Sequence, residues 1–380
     1  MNWELKSLDE IGFIGRGKSR HRPRNADHLY GGEYPFIQTG DIKAAGFRIS
    51  DYSQTYNDSG LSQSKLWKEG TLCITIAANI ADTAILGMDA CFPDSIIGFV
   101  ADKNKSDVRF VKYFFDIFQA KMKSISTGAA QDNLSLEKLL TFKIPTPPLS
   151  IQRRIASILS AYDDLIENNL NRIKLFEEKV NMNYKLLDKI EKYKLSDLYD
   201  TSSGGTPSRT NAEYFDGEIN WFKSKELDDS ILLKSEEKIT EIAVDKSSAK
   251  LFPNGSVVMA MYGTTIGKLG LLSMPSTTNQ ACCAIIQKDK IKSNYYIFNW
   301  LLENREYILS FRMGAAQENI SQMVIKNLLV TVPTNRDLKL FNKEVEPIYQ
   351  LIKNLHIQNT KLREARDILL PRLMSGEIGV

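Results

Sequence analysis

The same pattern is written twice in this chain. Gly32-Glu33-Tyr34-Pro35-Phe36-Ile37-Gln38-Thr39 returns 185 positions later as Gly217-Glu218-Ile219-Asn220-Trp221-Phe222-Lys223-Ser224. Gly70-Thr71-Leu72-Cys73-Ile74 returns at the same shift as Gly255-Ser256-Val257-Val258-Met259. Gly128-Ala129-Ala130-Gln131-Asp132-Asn133-Leu134-Ser135 returns 186 positions later as Gly314-Ala315-Ala316-Gln317-Glu318-Asn319-Ile320-Ser321. Three anchors at nearly constant offset make the chain a tandem duplication, so whatever one copy folds into, the other must also provide.

Each copy leads through an Ile144-Pro145 or Val332-Pro333 step into a long amphipathic stretch. From Pro148 to about Lys192, Ile151, Ile155, Ile158, Tyr162, Leu165, Asn169, Ile173, Phe176, Val180, Tyr184 and Leu187 follow the three-four spacing of a helical packing seam. Pro147 and Pro148 precede it, and Ser150 can cap its first turn. Leu340, Phe341, Val345, Ile348, Tyr349, Leu351, Ile352, Leu355, Leu362, Ile368 and Leu369 continue the pattern from Asp337 to about Met374. A helix of about 40 residues is roughly 60 Å long, more than one compact core can cover. Two unrelated helices, each on its own domain, would also fit the spacing. The duplication favours two copies of one helix that pair antiparallel.

Within each copy, β-rich runs alternate with Gly, Asn, Asp and Ser turns: Ile11–Ile14, Tyr34–Ile37, Thr71–Ala77, Ile96–Val100, then Asn220–Phe222, Ser256–Met261 and Cys282–Ile286. Shorter helices are predicted over Val108–Ile125 and Tyr295–Phe311. The expected class is α+β: two mixed α/β globules in tandem, over 1–147 and 193–334, separated by long helices at 148–192 and 335–380, with approximate two-fold symmetry.

Composition adds exclusions. The net charge of +3 does not by itself announce a nucleic-acid binder. The opening Met1-Asn2-Trp3-Glu4 is not a signal peptide and the apolar runs are too short to span a bilayer, which predicts a soluble cytoplasmic chain with no membrane partner. Cys73, Cys91, Cys282 and Cys283 lack metal spacing and there are 3 histidines, so the cysteines are expected as reduced core residues and no metal site is predicted.

Two motifs suggest catalysis without its context. Gly12-Phe13-Ile14-Gly15-Arg16-Gly17-Lys18-Ser19 matches a phosphate-cradling loop, yet Pro23 falls where the required helix would run. Phe13-Ile14-Gly15-Arg16-Gly17 resembles a methyltransferase glycine turn, but Thr146-Pro147-Pro148-Leu149 lacks the flanks such enzymes use to grip a flipped base. Catalysis by this chain is not expected.

Arg16, Lys18, Arg20, His21, Arg22 and Arg24 form a cationic run without an acid. Such a run suits a solvated loop; on a turn-rich segment feeding a sheet it also suits a phosphate backbone. Thr39, Lys43 and Asn79 in the first copy, and Lys223, Lys225, Tyr262, Thr264, Thr265 and Lys268 in the second, stand at strand ends with chemistry suited to phosphates or base edges. Gln131 and Gln317 read more naturally as shared scaffold.

The combined pattern resembles the specificity subunit of type I restriction-modification systems. The residues that carry the resemblance are Gly17-Lys18-Ser19-Arg20-His21-Arg22-Pro23-Arg24, Tyr34-Pro35-Phe36-Ile37-Gln38-Thr39-Gly40-Asp41, Ile74-Thr75-Ile76-Ala77-Ala78-Asn79, both Gly-Ala-Ala-Gln segments and Pro148-Leu149-Ser150-Ile151-Gln152. The second helix departs from it, opening on Thr334-Asn335-Arg336-Asp337. The resemblance implies that the globules are target recognition domains, each reading half of a split site in double-stranded DNA. It implies that the helices set the spacer and dock two modification (methyltransferase) subunits, with restriction subunits joining the complex. S-adenosylmethionine, ATP and Mg would then belong to those partners, with no cofactor on this chain. The reading from a different class is a duplicated coiled-coil scaffold that does not bind DNA.

Overall fold

The computed structural model describes residues 3–76, 81–125, 135–289, 291–314 and 318–380, the side chains of 120–125 excepted. Asn79, Gln131 and Gln317 lie outside these residues. The chain divides into two compact units: Met1–Glu167 with Lys361–Val380, and Asn168–Thr360.

The first unit holds a five-stranded sheet in the order Gly12–Arg16, Ile96–Ala101, Leu72–Thr75, Thr83–Leu86, Arg48–Ile49, antiparallel except for its last, parallel edge. The second repeats that order with Tyr199–Ser203, Cys282–Gln287, Val257–Ala260, Leu269–Leu272 and Ser230–Leu232, and its last pair is again parallel. The duplication extends to register: Cys73 lies opposite Ala84 and Gly98, and Val258 lies opposite Gly270 and Ala284.

A smaller sheet accompanies each. Gln54–Tyr56, Tyr30–Phe36, Ala90–Cys91 and Leu66–Trp67 build the first, and Glu237–Ile239, Phe215–Phe222 and Thr277–Thr278 the second. Both carry an irregularity at the same place, between Tyr30 and Tyr34 and between Phe215 and Ile219. Short helices are interspersed among the strands of each unit and the large sheets are mainly antiparallel, so both units are mixed α/β globules as expected. The four cysteines are buried free thiols, and burial raises the pKa of each. No described helix is long and apolar enough to cross a membrane.

The helix over Val108–Ile125 forms where its amphipathic spacing predicts. Its counterpart is broken: Asn294–Glu303 and Arg305–Leu309 meet at Asn304, which is not helical and turns its side chain back to donate to the Trp300 carbonyl at 2.8 Å. Both run against the inner face of a large sheet, burying Phe110, Val111 and Phe115 in one unit and Tyr296, Ile297 and Trp300 in the other. Each such side chain contributes about 1.5–3 kcal/mol through its burial.

The long helices span Leu149–Lys185 and Asn335–Ser375. The first stops short of Lys192 because Glu191–Lys194 is a strand, paired with Leu329–Val332. Neither helix is a segment apart from the globules; each contributes turns to both units. Within the second unit, the Asn169 amide donates to Asn359 at 2.9 Å and Asn183 to Glu344 at 3.1 Å, so one helix descends as the other climbs and the pairing is antiparallel. Most of the expected stripe is buried, Ile155, Asn169, Ile173, Val180 and Tyr184 on the first helix and Phe341, Val345, Ile352 and Leu355 on the second. Leu165, Leu340, Leu351 and Ile368 are exposed instead, and Ile166 and Asn359, outside the expected stripe, are buried. A helix packed on both a partner helix and a globule buries an arc wider than a single three-four stripe.

In the first unit the seam closes on charge. Asp163, all but buried, pairs with Arg366 and accepts a 2.5 Å hydrogen bond from the Tyr113 hydroxyl. Burial first, and then the Asp163 carboxylate, raise the Tyr113 pKa, so it stays a donor. The repeat places Asn299, Tyr349 and Val180 at the corresponding positions of the second unit. There Asn299 donates to the Tyr349 hydroxyl at 2.8 Å, and Val180 is a buried core residue. Thus the duplicated helices meet through an ionic triad in one unit and a neutral one in the other.

Candidate nucleic-acid interface

Beyond Arg16 the first unit's edge strand gives way to a tethered loop. The Gly17 and Lys18 N–H groups donate to the carbonyls of Ile96 and Phe92 at 2.9 and 3.0 Å. A Cβ on Gly17 would meet the Phe92 and Pro93 carbonyl oxygens at 2.4 Å, so glycine is required for the approach. Ser64 donates to the Lys18 carbonyl at 2.7 Å, and the Gln63 side-chain oxygen accepts from the N–H of both Arg20, at 2.6 Å, and His21, at 3.0 Å. No helix follows; the next helical element is a 3-10 turn over Asp27–Leu29. With those N–H groups engaged, the phosphate-cradle string has no cradle geometry.

The loop's cations divide into two sets. Arg22 donates to the carbonyls of Ser19, at 2.6 Å, and His21, at 2.9 Å, and lies 4.0 Å from Asp94. Arg24 forks onto the Asp94 carboxylate at 2.7 and 2.9 Å. His21 packs edge-on to His28. Arg16, Lys18 and Arg20 are exposed, and among the described residues neither Lys18 nor Arg20 makes a side-chain ion pair. Beside Lys18 stands a residue that the sequence did not single out, Lys65, whose ammonium rests 3.5 Å from the Trp67 ring centre and 4.7 Å from that of Phe13. Thr39 and Lys43 are on a separate short helix, Thr39–Ala45, whose cap residue Gln38 bonds to Gln54.

The second unit arranges its cations differently. Lys223 pairs with Glu237, Lys225 with Glu236 at 2.5 Å, and Lys268 with Asp229 at 2.6 Å, where Arg305 also arrives. All three lysines singled out in the sequence are therefore ion-paired. Tyr262 and Thr264 are exposed and Thr265 half-buried on a turn over Gly263–Thr265, whose Gly263 has φ of +77°. That turn carries Lys268 with it, since the Lys268 N–H donates to the Thr265 carbonyl at 2.9 Å.

Arg209 was also missed. Its guanidinium lies 4.6 Å from the Phe215 ring centre and 5.2 Å from that of Trp221, and it pairs with Glu237 at 2.5 Å. Hydrogen bonds from Arg209 and then Lys223 pull the Glu237 carboxyl from 4.5 down to about 2. A signal was available: Arg209 stands one repeat shift after Arg24, and each holds a carboxylate of its own unit.

Among the described residues, no cluster of His, Cys, Asp or Glu could hold a metal ion. What the two surfaces offer is positive charge beside aromatic rings and strand-end turns, which suits an extended polyanion better than a small substrate.

The sequence matches the family profile described as type I restriction modification DNA specificity domain, twice, over residues 1–175 and 188–363. It is 24% identical to the type I restriction enzyme MjaIX specificity subunit of Methanocaldococcus jannaschii, an alignment covering 100% of this chain and 94% of that one. It is 27% identical to the HindI specificity subunit of Haemophilus influenzae over 48% of this chain and 40% of that protein. Among solved structures, the type I restriction-modification S subunit from M. genitalium superposes with a TM-score of 0.61 at 14% identity, covering 98% of this chain and 96% of that one, a likeness of fold.

Proposed function

Since the chain belongs to the type I restriction modification DNA specificity domain family, as a specificity subunit with two such domains in tandem, we propose that it reads a bipartite duplex site, one unit to each half. The observation that carries this reading is a single fold written twice with different cations at its surface. The first unit offers Lys18 and Arg20 in the open, while the second holds Lys223, Lys225 and Lys268 against its own carboxylates. Unlike surfaces on like frames would read unlike half-sites. Phosphates would supply salt-dependent, sequence-blind affinity, and turns such as Tyr262–Thr265 would supply discrimination at base edges.

The long helices then serve as spacer and as docking rails for two modification subunits, with restriction subunits joining them. Exposed apolar side chains support the rail reading: Leu175 and Met182, seven residues apart on the first helix, are 64% and 66% exposed. Methyl transfer and ATP-driven cleavage fall to those partners, which would bring S-adenosylmethionine, ATP and Mg.

Selection from a random duplex pool by the chain assembled with its modification subunit tests the reading. Enrichment of two short half-sites at fixed separation is expected; recovery of one contiguous site, or of none, would refute it. Leu175→Lys with Met182→Glu should weaken co-purification with the modification subunit, and unchanged assembly would remove that face from the interface.

A further inference from the structure

We propose that Lys65 is a phosphate-contacting residue of the first unit, and that Gln63 and Ser64 are positioning residues that hold the Lys18–His21 segment beside it. This deepens the DNA-reading role above and rests on it. Three consecutive residues do complementary work. Gln63 takes two backbone N–H groups of the cationic loop, Ser64 takes its Lys18 carbonyl, and Lys65 adds a cation of its own. Hydrogen bonds from the residues adjoining Lys65 thereby help to fix the loop's position relative to it.

The seat of Lys65 is built for a fixed charge. Trp67 is buried and stacks on Phe92 at 5.0 Å between ring centres. It lies across the sheet where the strands carry no side chain: a Cβ on Gly98 would come within 2.7 Å of the Trp67 ring, and one on Gly15 within 3.4 Å. Phe13, 56% exposed, flanks it at 6.0 Å between ring centres. The two rings hold the ammonium through their electron-rich faces, so the side chain is ordered before any ligand arrives. Burial and then neighbouring Lys18 lower the Lys65 pKa, and among the described residues Lys65 makes no ion pair. An ordered cation beside a second cation, without a counter-charge, is completed by an anion with charges at regular spacing. The phosphate backbone of a duplex supplies that. The second unit has Lys250 at the equivalent position, and there the ammonium donates to the Ser202 hydroxyl, so this seat belongs to the first unit alone.

The test uses the full chain assembled with its modification subunit and carrying Lys65→Met, which keeps the stem on the rings, Lys65→Arg, which restores the charge, or Gln63→Ala. Affinity for a selected duplex and for a random duplex is measured across salt. Lys65→Met should lower both affinities by the same factor, about fivefold near 0.15 M salt, and flatten the salt slope by about one unit. Lys65→Arg should recover the slope, and Gln63→Ala should lose affinity with its melting temperature nearly unchanged. An unaltered slope in Lys65→Met, while Arg20→Ala changes it, would overturn this assignment and leave the DNA-reading role standing. Loss confined to the selected duplex would overturn it too, making Lys65 a base reader. Absence of duplex binding by the unmodified assembly would sink both.

Discussion

Replacing Arg366 by Val tests whether the first unit's helix seam depends on its ionic triad. The Asp163 side chain is 3% exposed and that of Arg366 24%, so removing the guanidinium leaves a buried carboxylate with the Tyr113 hydroxyl as its hydrogen-bond donor and Arg363 as the nearby charge. Breaking a buried pair from one side costs about 3–5 kcal/mol. The surviving 2.5 Å bond from Tyr113 and the partial exposure of Arg366 argue for the lower end, about 3 kcal/mol. In a unit of this size 1 kcal/mol moves the midpoint by about 2–4 °C, which gives a fall of roughly 6–12 °C. The second unit shows the cure. Tyr113→Asn, Asp163→Tyr and Arg366→Val together install the neutral Asn299–Tyr349–Val180 arrangement. Calorimetry, with amide exchange on Val108–Ile125 to assign the transition to the first unit, should show the triple variant recovering most of the loss. A single variant that melts within about 1 °C of the parent, or a triple variant no better than the single, would refute the reasoning.

Three further outcomes follow from the surfaces. Arg20→Ala should flatten the salt slope of duplex binding by about one unit, whereas Arg24→Ala, whose guanidinium is forked onto Asp94, should change it less; equal effects would mean that the Asp94 pair opens on binding. Glu237 is held at about 2 instead of 4.5, so its contribution to stability is complete above pH 4.5 and fades as acid approaches pH 2. Trp221 fluorescence should report that acid transition and Glu237→Gln should abolish it, with a steeper salt slope for DNA as Arg209 and Lys223 are released; persistence of the transition would place it elsewhere. Gly17→Ala drives a methyl into two carbonyl oxygens at 2.4 Å and should destabilise the first unit by about 1–3 kcal/mol, while Gly31→Ala, at a position with open space, should show backbone strain without the clash. Chemical denaturation distinguishes the two, and equal losses would count against the steric account.

The architecture was legible because duplication turns a weak pattern into two concordant ones. The repeat that relates Cys73 to Val258 relates their ladder partners to within one residue, and the helix over Val108–Ile125 follows from its spacing alone. Misreadings arose where the deciding partner is distant in sequence. Leu165 and Ile166 are equally apolar, and which one is buried depends on what packs around the helix. The run Tyr295–Phe311 reads as continuous, while Arg305 is drawn to Asp229 far upstream. Lys223, Lys225 and Lys268 look available in the sequence because Glu237, Glu236 and Asp229 reach them only through the fold. Lys65, a single lysine between Ser64 and Leu66, gives no pattern at all; the rings beneath it come from two different strands.

The composition of the first unit sets an order of events at the ribosome. Leu370, Leu373 and Met374 pack into the core that Ile155 and Leu159 begin, yet about 190 residues of the other unit are translated in between. At about 5–20 residues per second, the nascent first half waits roughly 10–40 s with an apolar flank uncovered. The second unit, uninterrupted from Asn168 to Thr360, can mature first although it is made later. A premature stop anywhere before Lys361 therefore orphans the half that was synthesised earliest.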